Sequence, residues 1–208
     1  MKKTTIIFDF DGTIADSIPF ILKAAHELAK KYDFTPPPEE EIDSFKDKPP
    51  MEIIKRLKIP LYKVPFLIVE GQQLLHKYMK NVGYVKGMRK VLESLHTKGY
   101  TLGLLTSNSK ENVEIFLHKQ DLRVFDFVYS ERSLFGKAPV LEKMMRKFSL
   151  KKEEVMYVGD EVRDVDACKK AHVDVVSVTW GFSSKPILKE HGPNHIVDKP
   201  EELLKLFV

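Results

Sequence analysis

The sequence predicts an α/β protein: a parallel sheet with helices on both faces, carrying an all-helical insertion after its first strand. Three observations lead to that class. Short apolar runs alternate with longer segments of helical periodicity, the pattern of βα units feeding a parallel sheet. The runs are continuous, without polar residues at every second position, so each strand is buried on both faces. Between residues 17 and 83 no strand-like run occurs, only amphipathic helical patterns.

The elements follow in order. Thr4 to Phe10 reads as the first strand. Ile18, Ile21, Leu22, Ala25, Leu28 and Ala29 then recur at helical spacing, and Pro36-Pro37-Pro38 predicts the stop, followed by the acidic turn Glu39 to Glu41. Further helices are expected over Met51 to Leu57 and Val64 to Tyr78, punctuated by Pro49-Pro50 and Pro60. The remaining strands are Thr101 to Thr106, Phe127 to Ser130, Val155 to Val158, Val173 to Val178 and the short Ile196-Val197. Helices read from Met88 to Lys98, Lys110 to Lys119, Pro139 to Phe148, Val162 to Ala171 and Pro200 to Phe207. Residues 1–16 and 84–208 therefore form an α/β core domain, and residues 17–83 a helical cap domain.

Composition excludes several classes of function. With 34 Lys and Arg against 30 Asp and Glu, the net charge of +4 is too small, and its lysine pairs too scattered, to argue for nucleic acid. The single cysteine, Cys168, permits neither an intrachain disulfide nor a cysteine metal cluster; its apolar-periodic surroundings predict a buried side chain. No run approaches the ~18 apolar residues of a membrane span. Asp9 cuts the N-terminal apolar run far short of a signal peptide. A cytoplasmic protein, monomer or homodimer, is expected, with no membrane or nucleic-acid partner. The histidines, among them His26, His76 and His96, show no metal-ligand spacing and receive no role. Trp180 is expected to pack near the junction with the cap.

Ligands of parallel α/β sheets bind outside the carboxyl ends of the strands, so the residues standing there carry the chemistry. The stretch FDFDGTIADS puts Asp9 and Asp11, then Gly12, after the first strand. A carboxylate at the mouth of a hydrophobic strand is costly unless a cation or a hydrogen-bond donor meets it. After the second strand stand Thr106, Ser107, Asn108 and Ser109; beyond the third is Lys137, in GKAP; after the fourth comes GDEVRD, with Asp160, Glu161 and Asp164. If Ser109 caps the next helix, its amides reinforce an anion site.

DFDGTIADS, LLTSNS, GKAP and VGDEVRD, in this order, resemble the haloacid dehalogenase (HAD) superfamily, and the helical block after the first motif resembles its phosphoglycolate-phosphatase-like branch. The resemblance spans essentially the whole chain. It implies a Rossmann-like core with an inserted all-helical cap, and a Mg2+-dependent phosphatase acting on a small phosphorylated metabolite. Asp9 is then the nucleophile that forms an aspartyl-phosphate, and Asp11, pointing the same way along an extended backbone, the general acid and base. Gly12 gives the sharp turn and leaves room for the phosphoryl group. The Asp9 and Asp160 carboxylates and the Asp11 carbonyl are the implied metal ligands. Ser107, with Asn108 beside it, is the implied phosphate-binding hydroxyl, Thr106 being the alternative one residue back. Lys137 holds the phosphate, Asp164 orients Lys137 through a salt bridge, and Glu161 stands behind the metal site or is simply exposed. Lys46, Lys48 and Arg56 are candidates to face the substrate from the cap. A phosphomutase, or a non-catalytic binding protein on the same fold, remains open at this point.

Overall fold

The computed structural model describes residues 3–36, 42, 50–121, 123–131, 133 and 136–207. Lys46 and Lys48 lie outside the described residues.

Six parallel strands form one sheet: β1 (Thr5–Phe8), β2 (Thr101–Thr106), β3 (Phe127–Ser130), β4 (Val155–Gly159), β5 (Asp174–Val178) and β6 (His195–Val197), in the order β3-β2-β1-β4-β5-β6. β1 lies between β2 and β4, with Phe8 opposite Leu104 on one side and Val158 on the other. The strand ends of β1, β2 and β4 are thus neighbours on one edge. The order also reverses direction at β1, which makes the crevice above β1 the natural ligand position.

The strands are apolar on both faces, as predicted, because each face has its own core. Ile6, Phe8, Leu102, Leu104, Val158 and Val176 pack with residues of α4 (Met88–Thr97), α5 (Lys110–Gln120) and α9 (Pro200–Leu206). Ile7, Leu105, Tyr157 and Val175 face the other way, onto α6 (Lys137–Lys147), α7 (Val162–Ala171) and α8 (Lys185–Glu190). Successive side chains of an extended strand alternate between the two cores. Cys168 is fully buried in the second core, where burial pushes its thiol pKa up and leaves it a small hydrophobe.

Between β1 and β2 the described residues are helical: α1 (Ile18–Tyr32), α2 (Pro50–Arg56), a 3-10 turn (Leu61–Lys63), α3 (Val64–Met79) and then α4. α1 packs on α3, where Glu70 accepts from both Lys31 and Tyr32 at 2.7 Å. The two ends of this insert meet: Asp16 N–H donates to Gly83 O at 2.9 Å, and Ala15 bridges Tyr84.

Several boundaries differ from the sequence reading by a residue or two, among them the start of α6 at Lys137 against Pro139, and two differences have a clear local cause. α1 ends at Tyr32, well before the prolines, because Asp33 adopts a left-handed conformation (φ 54°) and its N–H closes on Ala29 O. β1 ends at Phe8, and the chain then turns: Ala15 N–H donates to Phe10 O at 2.9 Å and Gly12 N–H to Ala15 O at 3.0 Å. Asp11 therefore sits in a tight turn, and the alternation of an extended strand is not what places it. α8 had no counterpart in the sequence reading. No helix of the described residues is long and apolar enough to cross a membrane.

Candidate active site

Asp9 is the first residue past β1, 3% exposed, its N–H held by Val158 O at 2.9 Å. The Lys137 ammonium lies 2.9 Å from Asp9 Oδ1 and also pairs with Asp164 Oδ1. Lys137 is the first residue of α6, not a loop residue, and Gly136 before it (φ 88°) makes the turn that aims it. Asp164 uses its other oxygen to accept Glu161 N–H at 3.1 Å, while the Asp164 N–H donates to the Glu161 backbone carbonyl at 3.0 Å. This reciprocal pairing at the start of α7 fixes the Asp164 carboxylate against Lys137. The Lys137–Asp164 pairing inferred from sequence is thus present, and Asp164, 1% exposed, is no surface residue.

Asp160, fully buried at the end of β4, receives Thr13 Oγ1–H at 2.6 Å and Phe182 N–H at 2.7 Å. Gly12 (φ 76°) is needed twice over, for its left-handed turn and because a Cβ there would stand 2.5 Å from Asp160 Oδ2. Gly181 is under the same constraint, since its Cβ would fall 2.1 Å from the same oxygen.

Carboxylate oxygens of Asp9, Asp160 and Asp164 lie within 4.8 Å of one another. Burial pushes the Asp9 pKa up to about 7 against the pull of Lys137, and burial together with Asp9 raises Asp160 well above the usual carboxylate range. For Lys137, burial pulls the other way, but Asp164 and Asp9 outweigh it and hold the ammonium charged. Two of the three buried carboxylates thus share the largely buried Lys137, and among the described residues Asp160 makes no ion pair. Hard oxygen donors carrying surplus negative charge fit a small divalent cation.

At the end of β2, Thr106 is buried (2% exposed) and its Oγ1 accepts Asn108 N–H at 2.9 Å, whereas Ser107 is exposed. Ser107 lines a cleft of about 450 Å3 together with Asp11, Asn108, Asn112 and, from α3, Ile68, Gln72 and Leu75. It also lines a smaller adjoining cleft of about 110 Å3 with Lys137 and Arg163. Thr106 thus turns its hydroxyl to the backbone, whereas Ser107 lines both clefts. Asn108 Nδ2–H reaches Asp11 Oδ2 at 3.0 Å, and burial raises the Asp11 pKa despite that bond. Ser109 caps α5 by accepting Asn112 N–H at 3.2 Å, as expected. Arg56 pairs with Glu52 at 3.2 Å on α2.

A family model of haloacid dehalogenase-like hydrolases matches residues 6–178. The chain belongs to that family. It is 31% identical to a phosphoglycolate phosphatase of Synechococcus elongatus over 96% of this chain and 95% of the relative. It is 25% identical to the pyrophosphatase PpaX of Bacillus mycoides, over 99% of this chain and 97% of that one. Among solved structures, a haloacid dehalogenase-like family protein from Streptococcus pneumoniae shares the fold with a TM-score of 0.88, at 22% identity over 99% of both chains. The chain is accordingly a HAD-like hydrolase, similar over nearly its whole length to a phosphoglycolate phosphatase.

Several contributors to this HAD site escaped the sequence reading. The loop after β5 wraps Asp160: besides Phe182 N–H, Ser183 N–H donates to Asp160 O at 3.2 Å, and Ser183 Oγ accepts Val162 N–H at 3.2 Å. Trp180 does more than pack, since its indole N–H donates to Thr13 O at 3.1 Å. Arg163 pairs with Glu161 on the wall of the smaller cleft. The local signal for the loop residues was the WGFSS stretch, a glycine and two serines soon after a strand, and Arg163 lay within GDEVRD.

Proposed function

We propose that the protein is a cytoplasmic, Mg2+-dependent phosphatase that hydrolyses a small phosphate monoester through an aspartyl-phosphate on Asp9. The observation that carries this reading is the buried cluster of Asp9, Asp160 and Asp164 just beyond the ends of adjacent parallel strands, two of them paired with Lys137, which itself lines a cleft.

Asp9 attacks phosphorus and the P–O bond to the leaving alcohol breaks. Asp11, on the cleft wall, gives a proton to that alkoxide and then takes one from the water that hydrolyses the acyl phosphate. Lys137 neutralises charge on the transferring phosphoryl group, Ser107 and the Asn108 amide hydrogen-bond its oxygens, and Gly12 leaves room for it. Asp164 keeps Lys137 in place, and Glu161 supports Asp164. Asp9, Asp160 and the Asp11 carbonyl would hold Mg2+, which when bound offsets the repulsion between an anionic nucleophile and an anionic substrate.

The helical insert serves as the cap. α3 turns Ile68, Gln72 and Leu75 toward the same cleft as Asp11 and Ser107, so the leaving group meets an uncharged wall of mixed polarity. The two relatives' names, a phosphoglycolate phosphatase and a pyrophosphatase, support small phosphorylated metabolites as the substrate class. Release of inorganic phosphate from an aryl phosphate, then from phosphoglycolate and hexose phosphates, with and without Mg2+, tests the reading. Asp9→Asn should lower turnover by at least about a thousandfold. Turnover that survives either this change or removal of the metal overturns it.

A further inference from the structure

A chain of hydrogen bonds runs from the helical insert to Asp11, and one fixed donor sets its direction. The Ser109 backbone N–H donates to Asn108 Oδ1 at 2.8 Å, so this oxygen is the accepting end of the amide and Nδ2 is the end that meets Asp11. The same Oδ1 accepts a second hydrogen bond, from Asn112 Nδ2 at 2.8 Å. Asn112 Oδ1 is thereby left as an acceptor, 2.7 Å from His76 Nδ1, which must carry the proton. Every donor in the series His76, Asn112, Asn108 points toward Asp11.

The chain joins separate parts of the fold. His76 belongs to α3 of the insert and Asn112 to the first turn of α5 in the core, four residues beyond Asn108. Asn112 is 5% exposed and neighbours Val113 and Phe116, both fully buried. A buried asparagine inside a helix is unfavourable by propensity and by desolvation unless its amide is fully used. Here both ends are used.

We propose that Asn112, anchored by His76, is a positioning residue for proton transfer: it holds the Asn108 amide with its N–H toward Asp11, fixes the Asp11 carboxylate on the cleft wall, and makes that placement depend on α3 being docked against the core. This rests on the reading of Asp11 as the acid and base. Asn112 transfers no proton itself. Its effect is on the fraction of bound substrate that meets a correctly placed Asp11, and so on kcat.

Asn112→Asp tests this with almost no change of shape. It keeps an acceptor for His76 and replaces the donor facing Asn108 Oδ1 by an oxygen. His76→Leu breaks the chain at its half-exposed end, where folding is not at stake, and His76→Asn restores a donor at the position of Nδ1. Kinetics are measured on the Mg2+-loaded protein with an aryl phosphate, and the Asn108 side-chain N–H signals are followed by 15N NMR. The expected results are a loss of about tenfold in kcat for Asn112→Asp, with KM within about twofold, and a smaller loss for His76→Leu that His76→Asn recovers. Slow exchange of the Asn108 amide protons should be lost in the first two variants and kept in the third. An unchanged kcat in Asn112→Asp, a change in KM alone, or a His76→Leu defect that His76→Asn does not repair overturns the proposal while leaving the phosphatase reading intact. Absence of Asp9-dependent turnover in the parent overturns that reading and the catalytic part of this one together.

Discussion

The sheet edge and the helical insert face each other across one cleft and are built in opposite ways. At the edge, Asp9, Asp160 and Asp164 are almost wholly buried, and each carboxylate is held by specific donors: Lys137, Thr13 Oγ1–H, and backbone N–H groups of Phe182 and Glu161. In the insert, large apolar side chains stand in solvent, among them Tyr62 at 72%, Leu61 at 63% and Phe66 at 60% exposure. Ile68, which lines the cleft, is 54% exposed. The contrast teaches where geometry is fixed and where it is adaptable. Charge development on a phosphoryl group rewards donors that need no reorganisation, whereas a wall that recognises a leaving group can rest on loose contacts that tighten on closure.

Breaking the rigid side should have the largest effects. Lys137→Ala leaves Asp9 and Asp164 buried without their cation, and uncompensated buried charge costs about 3–5 kcal/mol. For a chain of this size that corresponds to a fall of roughly 10 °C in Tm in metal-free buffer. Phosphate release should fall at least about a hundredfold. Calorimetry and a phosphate assay on the same sample measure both. A lysine whose loss left Tm and turnover unchanged would show the cluster to be less preorganised than its distances indicate.

Gly181→Ala probes the same rigidity from the loop after β5. A Cβ 2.1 Å from Asp160 Oδ2 forces the carboxylate or the loop to move, while Asp160 itself stays chemically intact. Outer supports of metal ligands typically matter by tenfold or more in affinity. The Mg2+ concentration giving half-maximal rate should therefore rise about tenfold, with substrate KM little changed. An unaltered metal dependence would mean that the loop yields freely.

The third effect is a pH slope. Burial lifts Asp9 from 3.8 to about 7, and burial also raises Asp11, Asp160 and Glu161. A carboxylate with a raised folded-state pKa binds its proton more tightly in the folded protein. Its stabilising effect is fully present below the unfolded value and is lost as pH rises through the folded one. Glu70, Glu131 and Asp198, whose pKa values are lowered, are already ionised in both states above pH 5 and add no slope there. Metal-free Tm should accordingly decrease from pH 5 to pH 8, and Mg2+ should raise Tm more at pH 8, where the carboxylates are ionised. Scanning calorimetry at the two pH values, with and without Mg2+, checks both signs; a metal-free Tm that rises with pH contradicts the burial argument.

The same contrast explains what could be read from the sequence. Asp9, Ser107 and Asp160 could be singled out because each stands at or just beyond a strand end, and a parallel sheet brings those ends together whatever the loops do. Lys137, the first residue of α6 and several residues past β3, was singled out by its GKAP stretch. The burial of Cys168 followed from helical periodicity alone. Gly181 and Phe182 were not legible as a seat for Asp160, since a contact across about 20 residues leaves no local period. His76 and Asn112 each look like ordinary helical residues until α3 lies on α5. The end of α1 was misplaced because three consecutive prolines are a louder signal than the left-handed Asp33 that closes the helix first. Local pattern locates the rigid edge, and the adaptable wall emerges only from packing.

The smallest expected effect belongs to that wall. Ile68 reaches the cleft from α3 and is more than half exposed, so Ile68→Ala removes little buried area and should leave Tm within about 1–2 °C of the parent. Its influence should show only in the choice of substrate. Among the described residues the insert contributes side chains to the cleft but none to the carboxylate cluster, so kcat for a generic aryl phosphate should hold within about twofold. The ratio of kcat/KM between two natural phosphate esters should shift a few-fold, since one or two methyl-sized contacts discriminate by about 1–3 kcal/mol at most. A panel of esters run on parent and variant gives that ratio. A uniform loss across the panel would place Ile68 with the rigid half of the site, coupled through α3 to the phosphoryl group, and the division between fixed edge and adaptable wall would then have to be redrawn inside the helix.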